Sequence, residues 1–178
     1  MNEKSERKIN SKEIYKGKII SLYVDDVECP NGQIAKREYV KHPGGVCILA
    51  IVDNKVIMER QYRYAYATDI YELPAGKIEK GEDPKEAAFR ELEEETGYCA
   101  EDLISMGELY PSVGYTDEII RLFLATNLKK SERHLDEDEF IDLEYVPLER
   151  LVNEVKDGTI KDAKTVAAIL KYLQFFAK

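Results

Sequence analysis

Residues 76–98 read GKIEKGEDPKEAAFRELEEETGY and contain the best-marked helix of the chain. Asp83 stands at an N-cap position, Pro84 suits the first helical residue, and Glu86 lies three residues after the cap, in capping-box register. Gly97 supplies the left-handed residue that ends a helix. Inside it, RELEEETG at 90–97 crowds glutamates that repel one another unless a cation binds or the side chains fan into water. At 100° per residue, Glu91, Glu94 and Glu95 fall within an arc of roughly 100°. Phe89 and Leu92 face the other way and can anchor the helix in a core. Clustered carboxylate oxygens suit Mg²⁺ or Mn²⁺, hard ions with room left for water and phosphate oxygens. For the helix alone, a plain solvated acidic face serves equally well.

The preceding segment weighs against the plain face. In ELPAGKIEKGEDP, Gly76 and Gly81 allow a tight loop to fold back over the start of the helix. The spacing runs Gly76, five residues, Glu82, seven residues, Arg90-Glu91-Leu92, one residue, Glu94-Glu95, one residue, Gly97-Tyr98. This pattern resembles the Nudix box with every fixed position present; Tyr98 stands where a smaller aliphatic residue is commoner. The resemblance implies an α+β Nudix fold, an α/β/α sandwich around a mixed central sheet, with N-terminal antiparallel strands. It also implies a hydrolase that cleaves a nucleoside diphosphate linked to another group with Mg²⁺, or Mn²⁺. Metal ligands implied by the match are Glu91, Glu95 and the carbonyl of Ala75, with Glu94 as a further ligand or one acting through water. Arg90 has a fork suited to carboxylates, so it orients them and offsets their repulsion. Glu82 either ligates indirectly or braces the loop.

Shorter segments narrow the group. HPGGV at 42–46, ERQYR at 59–63, ELPAG at 72–76, DEDE at 136–139 and DGTIKDAKTVAA at 157–168 are similar to the ADP-ribose pyrophosphatases. That resemblance implies Glu137 as the general base for water and Glu139 as one more metal-binding carboxylate, against the bland reading of a polar surface loop. Arg37 and Arg63 are the arginines expected near phosphate or the terminal ribose. Glu72 and Glu118 match acidic positions that hydrogen-bond sugar hydroxyls or orient an arginine, and Tyr23 or Tyr115 offers a face to adenine. One departure stands out: Val113 occupies the position where the group has a proline, sixteen residues after the box glycine. It leaves the chemistry intact and keeps another nucleoside diphosphate sugar open as the substrate. A rival from another class is a binding module that senses a nucleotide without cleaving it, which the full set of box carboxylates disfavours.

The rest of the chain fits this reading. With 178 residues and 44% hydrophobic content, it can bury one core, expected at 41–178, behind N-terminal strands at 1–40 that the resemblance implies pair two subunits into a homodimer. A formal charge of -9 argues against a nucleic-acid partner. It also means an anionic substrate needs local cations, which metal-loaded carboxylates provide. Cys29, Cys47 and Cys99 form no metal pattern and read as reduced thiols of a cytoplasmic protein, and no segment has the length of a membrane span. Beyond a polar, frayed start, strands are expected within 17–40, in a hairpin at 44–63 broken at Asp53-Asn54, and at 103–109, 119–128 and 140–148. A short helix is expected near Pro147, and a final one capped by Asp162 with Val166, Ile169, Leu170 and Leu173 as its apolar stripe.

Overall fold

The computed structural model describes residues 3–177, which form two compact units. The first runs to Gly44 and includes Ser112–Glu118. Its strands β1 (Arg7–Lys16), β2 (Ser21–Glu28) and β3 (Ile34–Lys41) make an antiparallel sheet in that order. The start expected to fray is therefore a ten-residue strand. Every residue of β1 is exposed, so the period-two apolar signal of a half-buried strand is missing. Polar pairs with β2 hold it: Arg7 to Glu28, and Lys8 and Ser11 to Asp25. Gly32 takes φ 79° in the β2–β3 turn, and Val40 joins the 112–118 segment by donating to Tyr115 O at 2.7 Å.

The second unit holds β4 (Gly45–Val52) and β5 (Lys55–Arg63), joined through Asp53 and Asn54 at φ 48° and 61°, the left-handed pair of a tight hairpin. A single 3₁₀ turn leads to β6 (Thr68–Glu72), β7 (Ala75–Lys77), α1 (Pro84–Thr96), β8 (Tyr98–Cys99), β9 (Leu103–Leu109), β10 (Ile120–Ala125), β11 (Lys129–Lys130) and β12 (Ile141–Pro147). Helices α2 (Leu148–Lys156) and α3 (Ala163–Phe175) close the chain. The sheet order is β12-β5-β4-β10-β9, with β6 on β5 and β7 on β4; β4 and β10 run parallel while the other pairs are antiparallel.

This is the expected mixed sheet between helical layers. The apolar run of β4 is continuous because both its faces are covered. Cys47 and Leu49 join a core with Leu151 and Ile169 of α2 and α3, while Val46, Ile48 and Ala50 join one with Ala88 and Leu92 of α1. Leu92 is fully buried and Phe89 packs at the margin of the same core. The stripe of α3 differs from expectation: Ala168, Ile169 and Thr165 are buried, whereas Leu170 is half exposed. Small Ala168, and Thr165 bonded to the capping Asp162, let that flank approach the sheet and turn Leu170 outward. Tyr98 fills a buried position edge-on to Tyr145, with ring centroids 6.3 Å apart, which accounts for a large residue at the end of the box. No helix among the described residues is long and apolar enough to cross a membrane.

Candidate metal and diphosphate site

Helix α1 is set at both ends as its sequence dictates. The Asp83 carboxylate accepts from Lys85 N–H at 2.8 Å, and Gly97, at φ 69°, donates to Glu93 O. With Ala87, Ala88 and Leu92 buried beneath it, the helix holds Glu91 and Glu95 at 8% and 3% exposure and leaves Glu94 more open. Glu95 accepts from Ala75 N–H at 2.9 Å, so β7 delivers Ala75 to this carboxylate. Gly76 leaves room beside it for Glu91: a Cβ there would lie 1.9 Å from Glu91 Cδ and displace that carboxylate. The glycine makes a cradle that the Glu91 carboxylate fills.

Arg90 gathers the acids. Its Nη1 donates to Glu91 and Glu94, each at 2.9 Å, its Nε to Glu82 at 2.9 Å, and its Nη2 to Glu82 and Lys77 O. These hydrogen bonds raise the arginine's pKa and lower that of Glu82, which also accepts Glu79 N–H and so braces the loop. Glu91 and Glu95 are pushed the other way. Burial raises both, opposed by Arg90 at Glu91 and by Ala75 N–H at Glu95; the charge of Glu139 raises both further. Glu139 is half-buried on the loop between β11 and β12, and Glu137 is exposed on the same loop.

A third buried acid was not singled out in the sequence. Glu59 of β5 is 2% exposed, its Oε1 has no hydrogen-bond partner, and burial, then Glu72, pushes its pKa up to about 8. Its charge is the largest electrostatic influence raising Glu95. Strand alternation puts Ile57, Glu59 and Arg63 on one face, and Ile57 belongs to the core beneath α1. The signal in the sequence was an acid directly following the apolar run Val56–Met58 in VIMERQYR.

Opposite Glu59 in the ladder is Glu72, also 2% exposed. One of its oxygens accepts Arg63 Nε at 2.7 Å and the other accepts Lys164 Nζ. Both oxygens thus face cations, an arrangement suited to an acid that orients an arginine, one of the two roles open to Glu72. Holding Arg63 by Nε keeps its Nη groups as donors for a phosphate. Lys164, at the start of α3, also lies 3.1 Å from Asp162.

Arg37 and Glu118 belong to the first unit. Arg37 is bound by Glu6 and donates to Lys36 O at 3.0 Å. It lines an open cleft of about 270 Å³ with Tyr39, Val113, Tyr115, Thr116 and Asp117. Tyr23 is instead stacked on Tyr39, at 5.5 Å between centroids, and donates to Glu13. Glu118 lies 3.5 Å from His42 Nδ1, a nitrogen that accepts Gly44 N–H at 3.1 Å.

Among the described residues, no three acidic, His or Cys side chains converge on one ion-sized point, since Glu91 and Glu94 are turned onto Arg90. The donor set nonetheless fits a hard divalent ion: it is all oxygen and self-repelling, its Glu91 and Glu95 are buried, and the unpartnered oxygen of Glu59 adds to the local excess of acceptors.

Comparison with known proteins follows the same lines. The profile of the NUDIX domain matches residues 41–169, and that of the nucleoside diphosphate sugar hydrolase N-terminal domain matches residues 6–40. The chain is 49% identical over 177 residues to an ADP-ribose pyrophosphatase of Bacillus subtilis (strain 168), covering 98% of this chain and 95% of that one. It is 48% identical over 172 residues to a methanol dehydrogenase activator of Bacillus methanolicus, covering 95% and 92%. Among solved structures, that of an ADP compounds hydrolase superposes with a TM-score of 0.82 at 25% identity, covering 96% of this chain and 93% of that one.

Proposed function

The chain belongs to the Nudix family, a premise from which we propose that it hydrolyses the diphosphate bond of ADP-ribose to AMP and ribose 5-phosphate. The observation that carries this reading is the buried pair Glu91 and Glu95, the first set against the Gly76 backbone and the second bonded to Ala75 N–H. Glu91, Glu95, Glu94, Glu139 and the Ala75 carbonyl would hold Mg²⁺ or Mn²⁺. When bound, the ion polarises diphosphate oxygens and lowers the pKa of water.

The residues of the chain do the rest. Glu137 accepts the proton of the attacking water, whose oxygen bonds to one phosphorus as the bridging P–O bond breaks. Arg90 orients the helix carboxylates and offsets their repulsion, and Arg63, fixed by Glu72, donates to a phosphate. In the first unit, Arg37, paired with Glu6, and Tyr115 line a cleft that offers a guanidinium and an aromatic face. Lys164 deserves a place as the second cation that holds Glu72.

Residues 1–40 are assigned to subunit pairing and 41–178 to the hydrolase domain, as a homodimer. The apolar side chains left exposed on β1, Ile9, Ile14 and Tyr15, support a partner for this sheet. Free Cys29, Cys47 and Cys99 support a cytoplasmic setting.

The test is AMP release from ADP-ribose with Mg²⁺, ranked by kcat/KM against other nucleoside diphosphate sugars. Robust turnover that Glu95→Gln leaves undiminished would sink the assigned mechanism. A different sugar nucleotide heading the ranking would replace the substrate while keeping the chemistry.

A further inference from the structure

We propose that Arg133 is a positioning residue that clamps both ends of the loop carrying Glu137 and Glu139 to the metal-binding helix. This rests on the assignment of those two carboxylates to the reaction.

The loop leaves β11 at Lys130 and enters β12 at Ile141. Its first residues lie along the C-terminal turn of α1: Ser131 N–H donates to Gly97 O at 2.8 Å and His134 N–H to Glu94 O at 3.0 Å. The Ser131 hydroxyl donates to the Glu93 carboxylate. Arg133 then spans the gap, with Nε donating to the carbonyl of Glu95 and Nη2 to that of Ile141 at 2.7 Å. One guanidinium thus joins the last turn of α1 to the first residue of β12.

Three features make an arginine the right part. Carbonyls in the last turn of a helix lack intrahelical partners and carry the negative end of the helix dipole, so a cation there satisfies both. A planar fork reaches two carbonyls at once, which a lysine's single ammonium does not reproduce in the same geometry. Gly97 also permits the approach. A Cβ there would meet Ser131 O at 3.3 Å and Arg133 Cβ and N at 3.4 Å, in addition to the strain at φ 69°.

The bonded carbonyl belongs to Glu95, whose own side chain faces the site. Fixing it sets helix and loop in one frame, leaving residues 134–140 to carry Glu137 and Glu139. Anchored ends reduce the conformations that loop must give up to reach a productive geometry. A misplacement of about 1 Å in such a geometry costs on the order of 10²-fold in rate.

The experiment compares the full chain with Arg133→Ala, Arg133→Lys, Glu137→Gln and Glu139→Gln. Readouts are kcat and KM for ADP-ribose, Mn²⁺ affinity by electron paramagnetic resonance, and amide hydrogen exchange. Arg133→Ala is expected to lose roughly 30- to 100-fold in kcat with KM and Mn²⁺ affinity within about threefold. Exchange should rise at residues 134–140 and stay unchanged in α1, and added guanidinium ion should restore part of the rate. Arg133→Lys, which keeps the charge and so guards against loss of folding, is expected to show the same kcat loss without that rescue. Wild-type kcat in either Arg133 variant, while Glu137→Gln or Glu139→Gln is impaired, overturns the clamp. So does a kcat loss accompanied by equal loss of Mn²⁺ affinity and protection throughout α1. Wild-type rates in both loop glutamine variants overturn instead the assignment on which the clamp rests.

Discussion

Replacing Gly76 by alanine adds one carbon atom at the most crowded point of the site. That carbon would lie 1.9 Å from Glu91 Cδ and 2.1 and 2.2 Å from its two oxygens. Non-bonded carbons settle at about 3.5 Å, so the carboxylate must withdraw by about 1.5 Å. The obstacle is the far end of a flexible side chain, and Gly76 is not among the positive-φ glycines, so the backbone accepts alanine. Alanine also stiffens the unfolded chain, which adds about 0.4–1 kcal/mol of stability. Against that stands the charge-assisted hydrogen bond between Glu91 and Arg90, at 2.9 Å, whose disruption costs about 1.5–3 kcal/mol. The variant should therefore fold, with a net loss of about 0.5–2.6 kcal/mol. Activity should fall much further: a shift of this size in a metal-holding carboxylate predicts at least about a 10²-fold drop in kcat/KM, about 2.7 kcal/mol in the transition state. Initial rates of AMP release and a thermal melt measure the two quantities separately. A folded Gly76→Ala protein with kcat/KM within threefold of the parent would refute the cradle argument.

Other perturbations address burial and charge. Burial first, and Glu72 next, raise the Glu59 pKa to about 8, above the roughly 4.3 of an unfolded glutamate. Between those values the folded state holds a proton that the unfolded state has lost, so this group's contribution to stability is present at low pH and falls as pH rises, by up to about 1.4 kcal/mol per unit. In metal-free protein, Glu59→Gln should raise the melting temperature at pH 8 and much less at pH 5; equal shifts at both would contradict the burial. Leu92→Ala removes a fully buried side chain beneath α1 and should cost about 2.7–5 kcal/mol in a urea titration. Glu137→Gln should lower kcat by about 10²- to 10⁴-fold while leaving Mn²⁺ affinity nearly unchanged, since the residue is an exposed loop acid.

Much of the fold was legible because its signals are local. The caps Asp83 and Asp162, the Gly97 stop and the Asp53-Asn54 turn each report a backbone conformation fixed by the residue itself and its near neighbours. Reading failed where exposure mattered. Strand β1 carries no apolar alternation because neither of its faces is covered in the chain, and Leu170 shares a helical stripe with Ile169 yet lies outside the contact. Whether an apolar residue is used depends on what packs against it, and that partner is not written in its own segment.

The site divides along the same line. From sequence alone follow the helix, the arc that collects Glu91, Glu94 and Glu95, and Arg90 within reach of them, because 3.6 residues per turn fixes those relations regardless of the rest of the molecule. Only the tertiary structure brought Lys164 to Glu72 across 92 residues, Arg133 to the carbonyl of Glu95 across 38, and an unpartnered Glu59 beside the helix acids. Those contacts arise from strand register and chain crossing, and the energies that make them matter, desolvation and close electrostatic pairing, exist only once the interior has closed.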